Sequence, residues 1–132
     1  MSIRTIIFGA TMALSAVAAG AVLAASAPSA DGSRVTGTSG WAVVTIGGAL
    51  ARGSNATNAI HLSTGEFEVD FTTNISRCAY SATVGESSSN HSPPAAFVGA
   101  TGRNGNYKGV YVDTFDDTGT PADEPFHLVV TC

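Results

Sequence analysis

Beyond residue 40 the chain is patterned in steps of two. Gly65-Glu66-Phe67-Glu68-Val69-Asp70-Phe71 switches between acidic and apolar at every position. Successive side chains on a strand point to opposite faces, so Phe67, Val69 and Phe71 share one side, and Glu66, Glu68 and Asp70 share the other. The apolar side is predicted to be buried and the acidic side to be wet. Arg77 to Val84 alternates as well and puts Cys78, Tyr80, Ala82 and Val84 on one inward face. With Thr73-Asn74-Ile75-Ser76 between them, the two arms read as a hairpin over Gly65 to Gly85. The chain ends on a third such run, with Phe126, Leu128, Val130 and Cys132 in one phase.

The remaining segments extend the pattern. Trp41 to Ile46 is rich in β-branched residues, and Gly47-Gly48 is a hairpin signal. Ala49 to Gly53 returns, Ser54 to Thr57 reads as a turn, and Asn58 to Leu62 is a short strand. Glu86 to Pro94 has the composition of a surface loop. Ala95 to Ala100 and Tyr107 to Thr114 are strands flanking Asn104-Gly105, two residues that tolerate positive φ. Asp116 to Pro125 is an acidic, proline-bounded connection. About eight short strands without helical periodicity predict an all-β fold, an antiparallel, jelly-roll-like β-sandwich closed by one disulfide.

The first quarter differs. Met1 to Arg4 carries one positive charge, and Thr5 to Ala25 is uncharged and dominated by Ala, Val, Ile and Leu. This matches a signal peptide over residues 1–24, cleaved after Val22-Leu23-Ala24. Residues 25–40 then form a flexible Ser/Gly/Ala/Thr linker, and 41–132 form the β-sandwich domain. An uncleaved leader is the only route to a membrane that the sequence offers. Six basic residues stand against ten acidic ones, and loss of Arg4 with the leader leaves five. An acidic chain with scattered basic residues has no footprint for nucleic acid.

Two cysteines in an exported chain are most simply one disulfide, Cys78 to Cys132. Two free thiols, or an intermolecular bridge through Cys132, are the competing arrangements.

Several stretches carry a resemblance. They are Trp41-Ala42-Val43-Val44, Leu50-Ala51-Arg52-Gly53, Gly65 to Phe71, Cys78 to Thr83, Gly109-Val110-Tyr111-Val112 and Phe126 to Cys132. Their order resembles small secreted actinobacterial β-domain proteins of unknown function, over nearly all of Trp41 to Cys132. At fold level the chain is also similar to the C-terminal β-domains of phage tail fibres and collagen-like proteins. The first resemblance implies no catalytic residues. The second implies a homo-oligomer, with a trimer as its form.

Candidate chemistry is sparse. His61, His91 and His127 lack the spacing of a zinc or copper site. Asp113, Asp116, Asp117, Asp123 and Glu124 are hard oxygen donors close in sequence, so this segment is a candidate for Ca²⁺, although its spacing is not that of an EF-hand. An ordinary solvated connection is the simpler account, in which Asp123 accepts backbone N–H bonds ahead of the last strand. No pair of carboxylates is placed for glycosidase work, and there is no nucleophile motif. Tyr107 and Tyr111 share a phase opposite Val110 and Val112. If the valines face inward, both tyrosine rings stand on one sheet face as a binding platform, with Trp41 and Tyr80 as further aromatic candidates; rings that shield a subunit interface or simply lie on the surface are the plainer account.

The expectation is therefore a secreted, extracellular, non-enzymatic structural or interaction module without a cofactor. It would self-assemble or meet a cell-surface protein or glycan. The alternative is a carbohydrate- or ligand-binding module using Tyr107, Tyr111 and Ca²⁺ at the acidic segment.

Overall fold

The computed structural model describes residues 40–132. The expected signal peptide and all but the last residue of the expected linker lie outside the described residues. Eight strands follow in order: β1 (Gly40–Val44), β2 (Leu50–Ser54), β3 (Ala56–Ser63), β4 (Glu66–Phe71), β5 (Ala79–Val84), β6 (Phe97–Gly102), β7 (Gly109–Phe115) and β8 (Phe126–Thr131). They form two antiparallel sheets of four, ordered β2-β1-β8-β5 and β3-β4-β7-β6. This is the all-β sandwich that the alternation predicts. Among the described residues no helix is long and apolar enough to cross a membrane.

The core lies between the sheets. One inner face supplies Ala42, Val44, Phe126, Leu128 and Val130, and the other supplies Phe67, Val69, Phe71, Val110 and Val112, all buried. Each set is the apolar phase of its strand, as period two requires. The Phe67 and Phe126 rings meet across the layers, tilted, with centroids 5.4 Å apart. Cys78, Tyr80 and Ala82 pack against this core as their phase predicts.

The Gly65 to Gly85 hairpin does not form. β4 lies in the second sheet and β5 in the first. Both arms carry an apolar face, and a two-layer sandwich satisfies both by placing them on opposite walls of one core. The connection crosses the end of the sandwich through buried Ile75. Ile75 N–H donates to Tyr107 O (2.8 Å), and Ile75 O accepts from Cys78 N–H (3.0 Å) and the Tyr80 hydroxyl (2.7 Å). The turn expected at Ser54 to Thr57 is a corner instead. Asn55, with φ 60°, is the single residue between β2 and β3, which belong to different sheets.

Cys78 and Cys132 form the disulfide, with Cα atoms 4.3 Å apart. It sits next to the Ala79–Thr131 pair, at one end of the β5–β8 ladder. Such a bond fits an oxidising compartment.

Candidate functional site

The outer face of the β3-β4-β7-β6 sheet carries the most organised polar chemistry among the described residues. Register places its side chains in rows. Asn58, Asp70 and Gly109 form one row; Ile60, Glu68, Tyr111 and Thr101 the next; Glu66, Asp113 and Gly99 a third; and Phe115 and Phe97 the last. The acidic phase of β4 therefore faces outward as predicted, but it is not uniformly wet. Glu68 is only 9% exposed.

Glu68 is covered by the β6–β7 connection, residues 103–108. Arg103 Nε donates to Glu68 Oε2 (2.9 Å), and Asn106 Nδ2 donates to Glu68 Oε1 (2.8 Å) and to Asp70 Oδ1 (2.7 Å). Asn106 is fixed in turn, because its Oδ1 accepts from Lys108 N–H at 3.0 Å. This close approach requires Gly109. A Cβ there would lie 2.7 Å from Asn106 Nδ2 and 2.9 Å from Glu68 Oε1. A buried carboxylate is tolerable only when paired and hydrogen-bonded, and Glu68 is both.

Tyr111 continues the network. The Arg103 guanidinium lies 5.6 Å from its ring centroid, a cation–π contact. Its hydroxyl interacts with the Glu66 carboxylate. Glu66 is held below the usual carboxylate range, first by the Ser63 hydroxyl and then by Tyr111. Tyr111 is raised above the ordinary phenol range, first by burial and then by its interaction with Glu66.

At the Asp70 end the face opens into a shallow cleft of about 530 Å³, lined by Thr57, Asp70, Phe71, Thr72, Asn106 and Lys108. Phe71 belongs to the core, so the groups the cleft can offer are a carboxylate, an amide, an ammonium and two hydroxyls.

Tyr107, Tyr111 and Trp41, singled out in the sequence, are not brought together. Val110 and Val112 do face inward, and Tyr111 does stand on the outer face. Arg103, however, already lies over its ring. Tyr107 is in the turn rather than on the strand and is 71% exposed. Trp41 is on the outer face of the other sheet.

The acidic segment also divides. Asp113 faces outward in register with Gly99. Asp116 turns back on its own loop, and Oδ1 accepts from Thr118 N–H (2.9 Å), the Thr118 hydroxyl (2.6 Å) and Thr120 N–H (2.9 Å). These bonds, the Thr118 hydroxyl foremost, lower its pKa. Asp117 is exposed in the same turn. Asp123 Oδ1 accepts from Gly65 N–H (2.7 Å) and from His61 Nε2 (2.9 Å), so it secures the β3–β4 turn. The Gly65 bond is the main cause of its lowered pKa. Gly65, at φ 75°, admits no Cβ, which would lie 2.6 Å from Thr114 O. Thr114 is buried and ties the segment down, donating to Ala122 O (2.6 Å) and accepting from Glu124 N–H (3.3 Å). Among the described residues no group of three or more His, Cys, Asp or Glu side chains is placed to hold a metal ion.

Arg103 and Asn106 were not singled out in the sequence, and Glu68 was read there only as part of a wet strand face. Their only signal there is position: Arg103 and Asn106 bracket the Asn104-Gly105 turn.

A scan against protein-family models finds no match to the chain, and searches of curated proteins and of solved structures find none either.

Proposed function

We propose that this protein is a secreted, non-enzymatic interaction module that works at the cell exterior. In this reading it binds a hydroxyl-rich ligand, a glycan, in the cleft at the Asp70 end of the β3-β4-β7-β6 sheet. The observation that carries the reading is the fixing of Asp70 and Asn106. Their side chains are bonded to each other and, through Glu68, to Arg103 before any ligand arrives. Preorganised carboxylate and amide groups lose little rotamer freedom on binding, and polar groups held in place set orientation and specificity. Lys108 and Thr72 add donors around the same cleft, and the Thr57 hydroxyl, which donates to Asp70 O (3.2 Å), adds an acceptor.

The disulfide and the leader-like first 24 residues support export. The His61–Asp123 pair, which could be taken for a catalytic dyad, has a structural role, because the same Asp123 oxygen secures Gly65 N–H. Binding in this reading needs no metal. Glycan-array screening of the mature form, with and without a chelator, tests it. A positive glycan should be lost with Lys108→Ala and Asp70→Asn, retained with Trp41→Ala, and unaffected by the chelator. Silence of the folded protein across the array would refute it.

Self-assembly is supported by a separate observation. Trp41 and Val129 are register partners on the outer face of the β2-β1-β8-β5 sheet and are 41% and 48% exposed. Adjacent exposed apolar side chains mark contact surfaces. In this second reading the mature form sediments as an oligomer, the trimer of the fibre-tip comparison, and Trp41→Ala dissociates it. Sedimentation as a monomer at all concentrations would remove it.

A further inference from the structure

We infer that Asn104 is a site of spontaneous covalent modification, at which the turn beside the candidate cleft converts its asparagine to aspartate and isoaspartate. Asn104-Gly105 is the only Asn-Gly pair in the chain. Both residues are exposed, and Gly105 has φ 80° with nothing within 4 Å of the position a Cβ would take. The turn's other polar groups are largely engaged. Arg103 N–H donates to Gly109 O (2.9 Å), Asn106 N–H to Arg103 O (3.2 Å), and Lys108 N–H to Asn106 Oδ1 (3.0 Å). Among the described residues the Asn104 carboxamide and the Gly105 N–H have no partner. The contrast with Asn74 and Asn106 is direct, since both of those hold hydrogen bonds through their side chains.

The chemistry needs only water. The Gly105 backbone nitrogen gives up its proton and attacks Asn104 Cγ, forming a C–N bond. The bond from Cγ to the amide nitrogen breaks, and ammonia leaves with that proton, giving a five-membered succinimide. Water then opens the ring at either carbonyl. Opening at one leaves aspartate, and opening at the other leaves isoaspartate, whose backbone carries one more carbon. No side chain at residue 105 hinders the attack. Either product places a carboxylate next to Arg103. The isoaspartate also lengthens the turn that holds Arg103 and Asn106 over Glu68.

The test is incubation of the mature, disulfide-bonded protein at mildly alkaline pH, followed by peptide mapping with isoaspartate detection. The expected result is the mass gain of amide-to-acid conversion in the Asn104 peptide, with isoaspartate present, rising with pH. A more acidic species should appear on anion exchange. Asn104→Gln should abolish the gain, and Gly105→Ala should slow it at least several-fold. Two results would overturn the inference. One is an unmodified Asn104 in folded protein over a period in which the denatured chain converts there. The other is undiminished conversion in the Gly105→Ala variant. Glycan binding is not part of this readout, so the inference stands or fails apart from the proposed function.

Discussion

Removing the Cys78–Cys132 bond should cost this domain about 4 kcal/mol. The bond spans a sequence separation of 54 residues. In the chain-entropy account, a closed loop of that length removes roughly 4 kcal/mol of conformational freedom from the unfolded chain. The native side adds little, because β5 and β8 are already paired from Ala79–Thr131 to Val84–Phe126 and the sulfurs only extend that ladder. The loss should therefore appear when Cys78 and Cys132 are both replaced by serine, with the native sheets retained by circular dichroism. For a domain of this size the midpoint should fall by roughly 15–30 °C. Guanidinium unfolding should show the same free-energy loss with a slightly larger m, because the unlinked unfolded chain exposes more surface. A loss below about 1 kcal/mol would refute the reasoning, for it would mean that the unfolded chain gains no freedom from the cut.

Asn106→Ala removes two hydrogen bonds to carboxylates and should cost about 2–3 kcal/mol in chemical denaturation; a cost under about 0.5 kcal/mol would show that Glu68 is solvated rather than pinned. Thr114→Val removes the partner of Ala122 O and Glu124 N–H in a half-buried place and should cost about 1–2 kcal/mol; an unchanged denaturation midpoint would contradict that role. Asp123 titrates lower in the folded protein than in the unfolded chain, so its contribution is complete above the unfolded value near 4 and is lost as pH falls through the folded value. Asp123→Asn should flatten that acid limb of the stability curve by less than about 1 kcal/mol, given its partial exposure; an unaltered acid limb would count against the coupling.

The fold was legible because its walls are made of strands with one fully apolar phase. Phe67, Val69 and Phe71, or Phe126, Leu128 and Val130, can only point one way, so strand existence and inward face follow from period two. Pairing was less legible. Alternation says which side of a strand is buried but not which strand lies beside it, so β4 and β5, adjacent in sequence, read as partners. The buried Ile75 between them is the clue, because a solvent-exposed hairpin turn has no reason to carry a fully buried isoleucine.

The polar face was hidden for a related reason. Whether Glu68 is wet depends on what lies over it, and that is settled by register and by the path of residues 103–108, thirty-five or more positions away in sequence. Glu68 is opposite Tyr111, and Asp70 is opposite Gly109, only once β4 and β7 are paired. Gly109 then leaves the gap into which Asn106 folds. In the sequence it is a small residue between Lys108 and Val110. In the fold it is the condition under which a carboxylate on the solvent side of a sheet can be buried and held. The acidic segment shows the converse. Its carboxylates are close in sequence, yet backbone N–H groups and hydroxyls turn Asp116 and Asp123 onto different turns. Proximity along the chain suggested a shared site, and local hydrogen bonding dispersed it.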